Sequence, residues 1–197
     1  MWNKILSILI ILSGPLSLNA EKLSMFSKNA LPTIFLMQYA GNMGLISIGL
    51  GREFNRNKIE TFLIYGVLPN QVNGVGAQTL SLKATGRITQ SLISRDCNLK
   101  IYTGIAVISN FTNNVHLNFP DYYPSSYYDF PTSLHAAPSI GASITWKQRD
   151  YIQTNSSYTL FAEFSTIDYY LINLLNNKSM KFPDIWNLSF GVSWKFR

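Results

Sequence analysis

The chain has 197 residues, a net charge of +6 from 16 basic and 10 acidic side chains, 47% hydrophobic and 14% aromatic residues, only 13% charged residues, and one cysteine. Charged residues stand at about half the usual share of roughly 25%, and aromatic content is high, which excludes intrinsic disorder and disfavours an ordinary cytosolic enzyme. One cysteine cannot form an internal disulfide and no zinc-ligand spacing occurs, so a single domain with no metal and no cofactor is expected.

Residues 1–20 place Lys4 ahead of an apolar stretch from Ile5 to Leu18, interrupted by Gly14-Pro15 and closing on Leu18-Asn19-Ala20. This is the layout of a secretory signal peptide, shorter than the roughly 20 apolar residues of a spanning helix. Cleavage is expected after Ala20, leaving residues 21–197 as the folded domain. No later apolar run is long, so a membrane location requires strands.

Eight strand segments follow. Residues 33–40, 44–54 and 58–68 are the least regular, with Phe62 and Ile64 sharing a face with Glu60. Alternation begins with Leu80, Leu82, Ala84, Gly86 and Ile88 against Thr79, Ser81, Lys83, Thr85 and Arg87. It continues with Leu99, Ile101, Thr103, Ile105 and Val107 against Asn98, Lys100, Tyr102, Gly104 and Ala106. Ile140, Ala142, Ile144 and Trp146 then oppose Gly141, Ser143, Thr145 and Lys147, and Tyr158, Leu160, Ala162 and Phe164 oppose Ser157, Thr159, Glu163 and Ser165, with Phe161 intruding on that polar face. In the last segment Trp186, Leu188, Phe190, Val192, Trp194 and Phe196 alternate with Asn187, Ser189, Gly191, Ser193 and Lys195. Side chains alternate faces along a strand, so each segment carries one apolar and one polar row. A soluble sandwich would hold ordinary charge density on its wet faces. Here the polar rows are Ser, Thr, Gly and Asn with isolated ions, the composition of a narrow barrel lumen.

An even strand number returns both termini to the periplasm, with short periplasmic turns and long external loops. Turns are therefore expected at 55–57, 89–97 and 148–156, and external loops at 41–42, 69–78, 111–138 and 171–185. Trp186 and Trp194 are eight positions apart, about the height of an apolar band of roughly 25 Å once strand tilt is included. Trp186 is assigned to the outer aromatic girdle, and Trp146, Tyr158, Trp194 and Phe196 to the inner one. Inward charges by parity are Glu53, Glu60, Lys83, Arg87, Lys100, Glu163 and Lys195, with Lys147 near the inner end. Mixed signs in so narrow a lumen are expected to form ion-pair rungs.

The segment from Trp186 through Phe196 to Arg197 resembles the terminal strand by which Gram-negative outer-membrane proteins engage the barrel-assembly machinery. Size and strand number resemble the small outer-membrane barrels of the OmpX, OmpA-transmembrane and lipid A deacylase type. The resemblance implies an all-β, eight-stranded antiparallel transmembrane barrel in the outer membrane, in contact with lipid and lipopolysaccharide. It does not assign activity.

The lipid A deacylase barrels carry a His-x-Ser pair with a downstream acid. Here His135-Ala136-Ala137-Pro138-Ser139 separates the two groups, and His116-Leu117-Asn118 has no serine. On one strand His135 and Ser139 would stand roughly 13 Å apart, too far for the hydrogen bond that activates a hydroxyl. The stretch from 111 to 134 concentrates Phe111, Phe119, Tyr122, Tyr123, Tyr127, Tyr128 and Phe130 with Pro120, Pro124 and Pro131. Such rings either form a recognition surface for an external protein or glycan or fold down to seal the barrel mouth. The expected role is envelope structure or surface interaction through this loop, the alternatives being a lipid A-modifying esterase built on His135 and Ser139, or a small pore. Lys178 and Lys181 are candidates for lipopolysaccharide phosphates. Cys97 falls in an expected periplasmic turn with no assigned role. No Lys/Arg cluster accompanies the aromatics, so nucleic acid is not an expected partner.

Overall fold

The computed structural model describes residues 31–55, 58–70, 76–112, 133–147, 156–176 and 181–196. The expected signal peptide and the five aromatic residues Tyr122, Tyr123, Tyr127, Tyr128 and Phe130 lie outside the described residues, as does Lys178. Contacts separate the chain into residues 1–31 and 32–197, and the second unit holds the fold.

That unit is a closed antiparallel barrel in which every strand pairs with its neighbours in sequence and the last pairs with the first. The strands are β1 (Ile34–Tyr39), β2 (Ile46–Phe54), β3 (Ile59–Leu68), β4 (Ala77–Ser94), β5 (Cys97–Asn110), β6 (Leu134–Lys147), β7 (Ser157–Ser165) and β8 (Asn187–Lys195). Closure joins Ile34 to Lys195 and Tyr39 to Phe190, so no edge runs the height of the wall. Helix α1 (Asp168–Asn176) and a 3₁₀ turn (Phe182–Ile185) lie between β7 and β8.

The two rows of each strand separate cleanly. Ser47, Ser81, Lys83, Ser139, Glu163 and Ser189 are buried inside the barrel, while Ile48, Leu50, Leu63, Leu82, Ile105, Leu160 and Phe190 are exposed on its outer surface. A soluble protein does not turn its large aliphatic side chains outward all round and draw its serines and ions inward, as this barrel does around a small apolar cluster of its own. The outer surface is therefore an apolar belt for hydrocarbon, and closure satisfies the backbone groups that lipid cannot. Among the described residues no helix is long and apolar enough to cross a membrane, so strands make the crossing.

Three sequence expectations change. The expected periplasmic turn at 89–97 shrinks to Arg95 and Asp96, because β4 runs to Ser94 and β5 starts at Cys97. Beyond Gly86 strand β3 no longer accompanies β4, so residues 88–95 of this hairpin are exposed on both faces and lose the alternation that marks a wall. The expected loop 111–138 ends earlier, since β6 begins at Leu134 and carries Pro138 within it. The Pro138 carbonyl accepts from the Thr166 amide, and a residue's N–H and C=O point the same way in an antiparallel strand. The donor that proline lacks thus faces the β7 side above Ser165, where that ladder has ended. The third change is α1, a helix where an external loop was expected.

Candidate functional site

Three rings enter the lumen, Phe62, Tyr102 and Phe161, and each lies against a glycine directly opposite on the neighbouring strand. Gly51 pairs with Phe62, Gly141 with Tyr102 and Gly191 with Phe161. A Cβ on these glycines would stand 2.2 Å from Phe62, 2.6 Å from Tyr102 and 2.2 Å from Phe161. Missing side chains on one strand thus make room for oversized ones on the next.

Between the rings sits the buried pair of Lys83 and Glu163, with Lys83 Nζ 2.7 and 2.6 Å from the two carboxylate oxygens. Lys83 also lies over the Phe161 ring, and Lys100 over the Tyr102 ring. Lower in the lumen Lys100 Nζ is 2.6 Å from Glu60 Oε1, and Lys195 pairs with Glu53. Six of the charges expected inward by parity therefore form three rungs, and Lys147 joins none of them. Arg87 instead bonds Gln90 on the projecting hairpin. Phe62, Ile64, Ala106, Ile108 and Phe161 complete an apolar plug around the buried pair.

The outer mouth is closed by the short turn between β1 and β2. Gly44 has φ +128°, a conformation open to glycine, and it lets the turn fold inward so that Met43 is buried. The Met43 carbonyl accepts from the Ser47 and Thr79 hydroxyls. Asn42 spans the same opening, donating to Ser165 Oγ at 3.0 Å and accepting from the Asn187 amide at 2.6 Å.

His135 and Asp168 meet beside this closure. His135 Nδ1–H donates to Asp168 Oδ1 at 3.0 Å, which fixes the proton on Nδ1 because an ionised carboxylate only accepts. Asp168 Oδ2 accepts from the Ala136 amide at 3.0 Å, so one carboxylate ties the start of α1 to the start of β6. Ser139 lies four residues along the same inward row, buried, and its Oγ has no hydrogen-bond partner. The structure does not bring His135 and Ser139 into hydrogen-bond contact; it brings His135 to Asp168. Asp168 was not singled out in the sequence. Its one local signal is an acidic residue opening a short helix after β7.

Trp146, Tyr158 and Trp194 are exposed on the outer surface at the inner end, and Tyr158 stacks on Trp194 with centroids 6.3 Å apart. Phe196 packs 5.5 Å from Trp194. Trp186 stands at the opposite end, just before β8, half-buried against Phe182 at 5.6 Å. Lys181 is exposed and its backbone N–H donates to Asp184. Cys97 is a free, half-buried thiol at the start of β5. No group of three or more metal-ligating side chains occurs among the described residues.

A closed wall with lipid-facing aliphatics and aromatic rings at both ends decides the location. The protein is an outer-membrane barrel. No protein-family model matches the chain, and no curated protein is found similar to it. Among solved structures it is similar to the outer membrane enzyme PagL at 14% identity and a TM-score of 0.37, over 83% of this chain and 97% of that one. At that level of similarity the assignment rests on strand pairing and the apolar belt alone.

Proposed function

We propose that this barrel is a rigid, non-enzymatic envelope component that presents its long external connections at the cell surface, chiefly the aromatic segment between β5 and β6. The observation that carries this reading is the filled lumen. Lys83, Glu163 and three rings occupy its middle, and the Met43 turn closes its outer mouth. A plugged barrel is a poor conduit and a firm base for loops. The connection from Asn110 to Leu134 is the longest between successive strands and holds the tyrosines noted above. Deleting residues 122–128 from a protein that still folds is expected to abolish adhesion of expressing cells to host matrix or to other cells. Unchanged adhesion would overturn the role of this loop.

A second reading, a lipid-modifying esterase, draws on one observation: His135 and Asp168 are an oriented base and acid. Ser139, the candidate hydroxyl, is buried in the row below, and its Oγ has no hydrogen-bond partner. Mass spectra of lipid A from expressing and deleted cells separate the two readings. The proposal expects identical spectra, whereas loss of an acyl chain in expressing cells would establish the esterase.

A further inference from the structure

Below the plug the lumen opens towards the periplasm as a cavity of about 300 Å³. Its floor is aromatic, built from Phe62, Phe161 and Tyr102, and its walls are hydroxyls, amides and ions. A void of this size falls at the lower end of the range for small-molecule sites. It is also polarised in a way that specifies an occupant.

Both carboxylates on its lining are already neutralised, Glu60 by Lys100 and Glu53 by Lys195. Lys147, on the same lining, has no ion-pair partner among the described residues. Among the described lining residues the charge left over is positive. Two further groups on this wall are unsatisfied: Asn98 Oδ1 and Ser143 Oγ lack any hydrogen-bond partner, although the residues are only 7% and 3% exposed. Buried polar groups are normally paired, and an orphan costs about 1–3 kcal/mol.

These groups are neighbours. Asn98 pairs with Thr145 and Lys100 with Ser143 across β5 and β6, and Lys147 lies two residues beyond Thr145 on the same inward row. Diagonal side chains on one face stand about 7–8 Å apart, a distance bridged by one small molecule. Asn98 Oδ1 needs a donor, Ser143 Oγ takes either role, and Lys147, exposed at the inner end, offers three donors to an anion.

We propose that the inner lumen is a binding site for a small hydroxylated anion entering from the periplasm. Its acidic group meets Lys147, a hydroxyl donates to Asn98 Oδ1, and its apolar ring or chain face rests on Phe161. Sugar acids and polyol phosphates share this chemistry. This site lies at the opposite end of the barrel from the external loops, so it stands or falls independently of their role.

The test is calorimetric titration of the full-length barrel, folded in detergent micelles, with glucuronate, glycerol 3-phosphate, glucose and sulfate in turn. Saturable millimolar binding of glucuronate or glycerol 3-phosphate is expected, with glucose and sulfate each at least about tenfold weaker. The two anions, compared with each other, identify the source. Lys147→Gln is expected to weaken binding about tenfold, the size of one charge-assisted hydrogen bond, and Ser143→Ala to weaken it severalfold without a large change of shape. Folding of each variant is checked by the faster migration of unboiled protein on a denaturing gel. Absence of saturable binding, meaning that water alone fills the cavity, would overturn the proposal. So would binding of glucose or sulfate as tight as that of the hydroxylated anions, or binding unchanged in Lys147→Gln.

Discussion

Lys83 and Glu163 are 80 positions apart in sequence and 2.6 Å apart in the lumen, each almost wholly buried. Their attraction is large because little water screens it, but so is the cost of taking both from water, and removing one partner leaves the other stranded. Lys83→Met is therefore expected to lower the stability of the lipid-reconstituted barrel by about 3–5 kcal/mol in urea unfolding, whereas Lys83→Met combined with Glu163→Leu recovers most of it. A double variant as unstable as the single one would show that the ion pair itself supplies the stability. The glycine partners of the rings make a second test at this scale. Gly191→Val places a side chain into Phe161 and is expected to cost about 1–3 kcal/mol, with Phe161→Leu relieving part of it. Parity in the sequence identifies both inward ions and the inward intrusion of Phe161, since period-2 alternation is a local property. Which cation meets which carboxylate is not local: it depends on the register of β4 against β7 across the lumen, and no spacing encodes it.

Among the elements, the side-chain hydrogen bonds that tie α1 to the barrel among the described residues come from one carboxylate. Asp168 accepts from the His135 ring and from the Ala136 amide, and the helix has no buried residue of its own. Asp168→Ala is expected to release residues 168–176, seen as faster hydrogen exchange there, while exchange in β7 and β8 stays unchanged. Slowed or unaltered exchange in the helix would show that other contacts hold it. The strands of the wall are legible because one face meets lipid and the other a crowded interior, and their boundaries follow wherever that contrast persists. It fails at three places. The β4–β5 hairpin leaves the wall, so Thr89, Gln90 and Ser91 read as a turn although they are strand. Pro138 reads as a break, yet its missing donor faces the end of the β7 ladder. Nine residues are too few for α1 to display a helical period. His135 and Ser139 are readable as candidates, and so is their separation along a strand. Asp168 escapes notice because it becomes the partner of His135 only when β6 and β7 lie side by side.

The whole molecule is an inverted globule, with serines and ions inside and aliphatic side chains outside. Its stability depends on hydrocarbon around the belt and on full closure of the ladder. Leu82 is 62% exposed and lies on the outer row of β4, away from both aromatic ends. Leu82→Arg is expected to cost about 2–4 kcal/mol in lipid bilayers, the penalty of a cation near the midplane. The same substitution at Leu92, 77% exposed on the projecting hairpin, is expected to cost little. The most direct measurement of the membrane assignment is spin-label accessibility along β8, with single labels at Leu188, Phe190, Val192 and Trp194 in reconstituted vesicles. All four are exposed on the outer surface. The barrel described here predicts high accessibility to oxygen and low accessibility to a water-soluble nickel chelate at Phe190 and Val192, with the chelate gaining access towards Trp194. Chelate accessibility as high at Phe190 and Val192 as in free solution would place this wall in water and contradict the account.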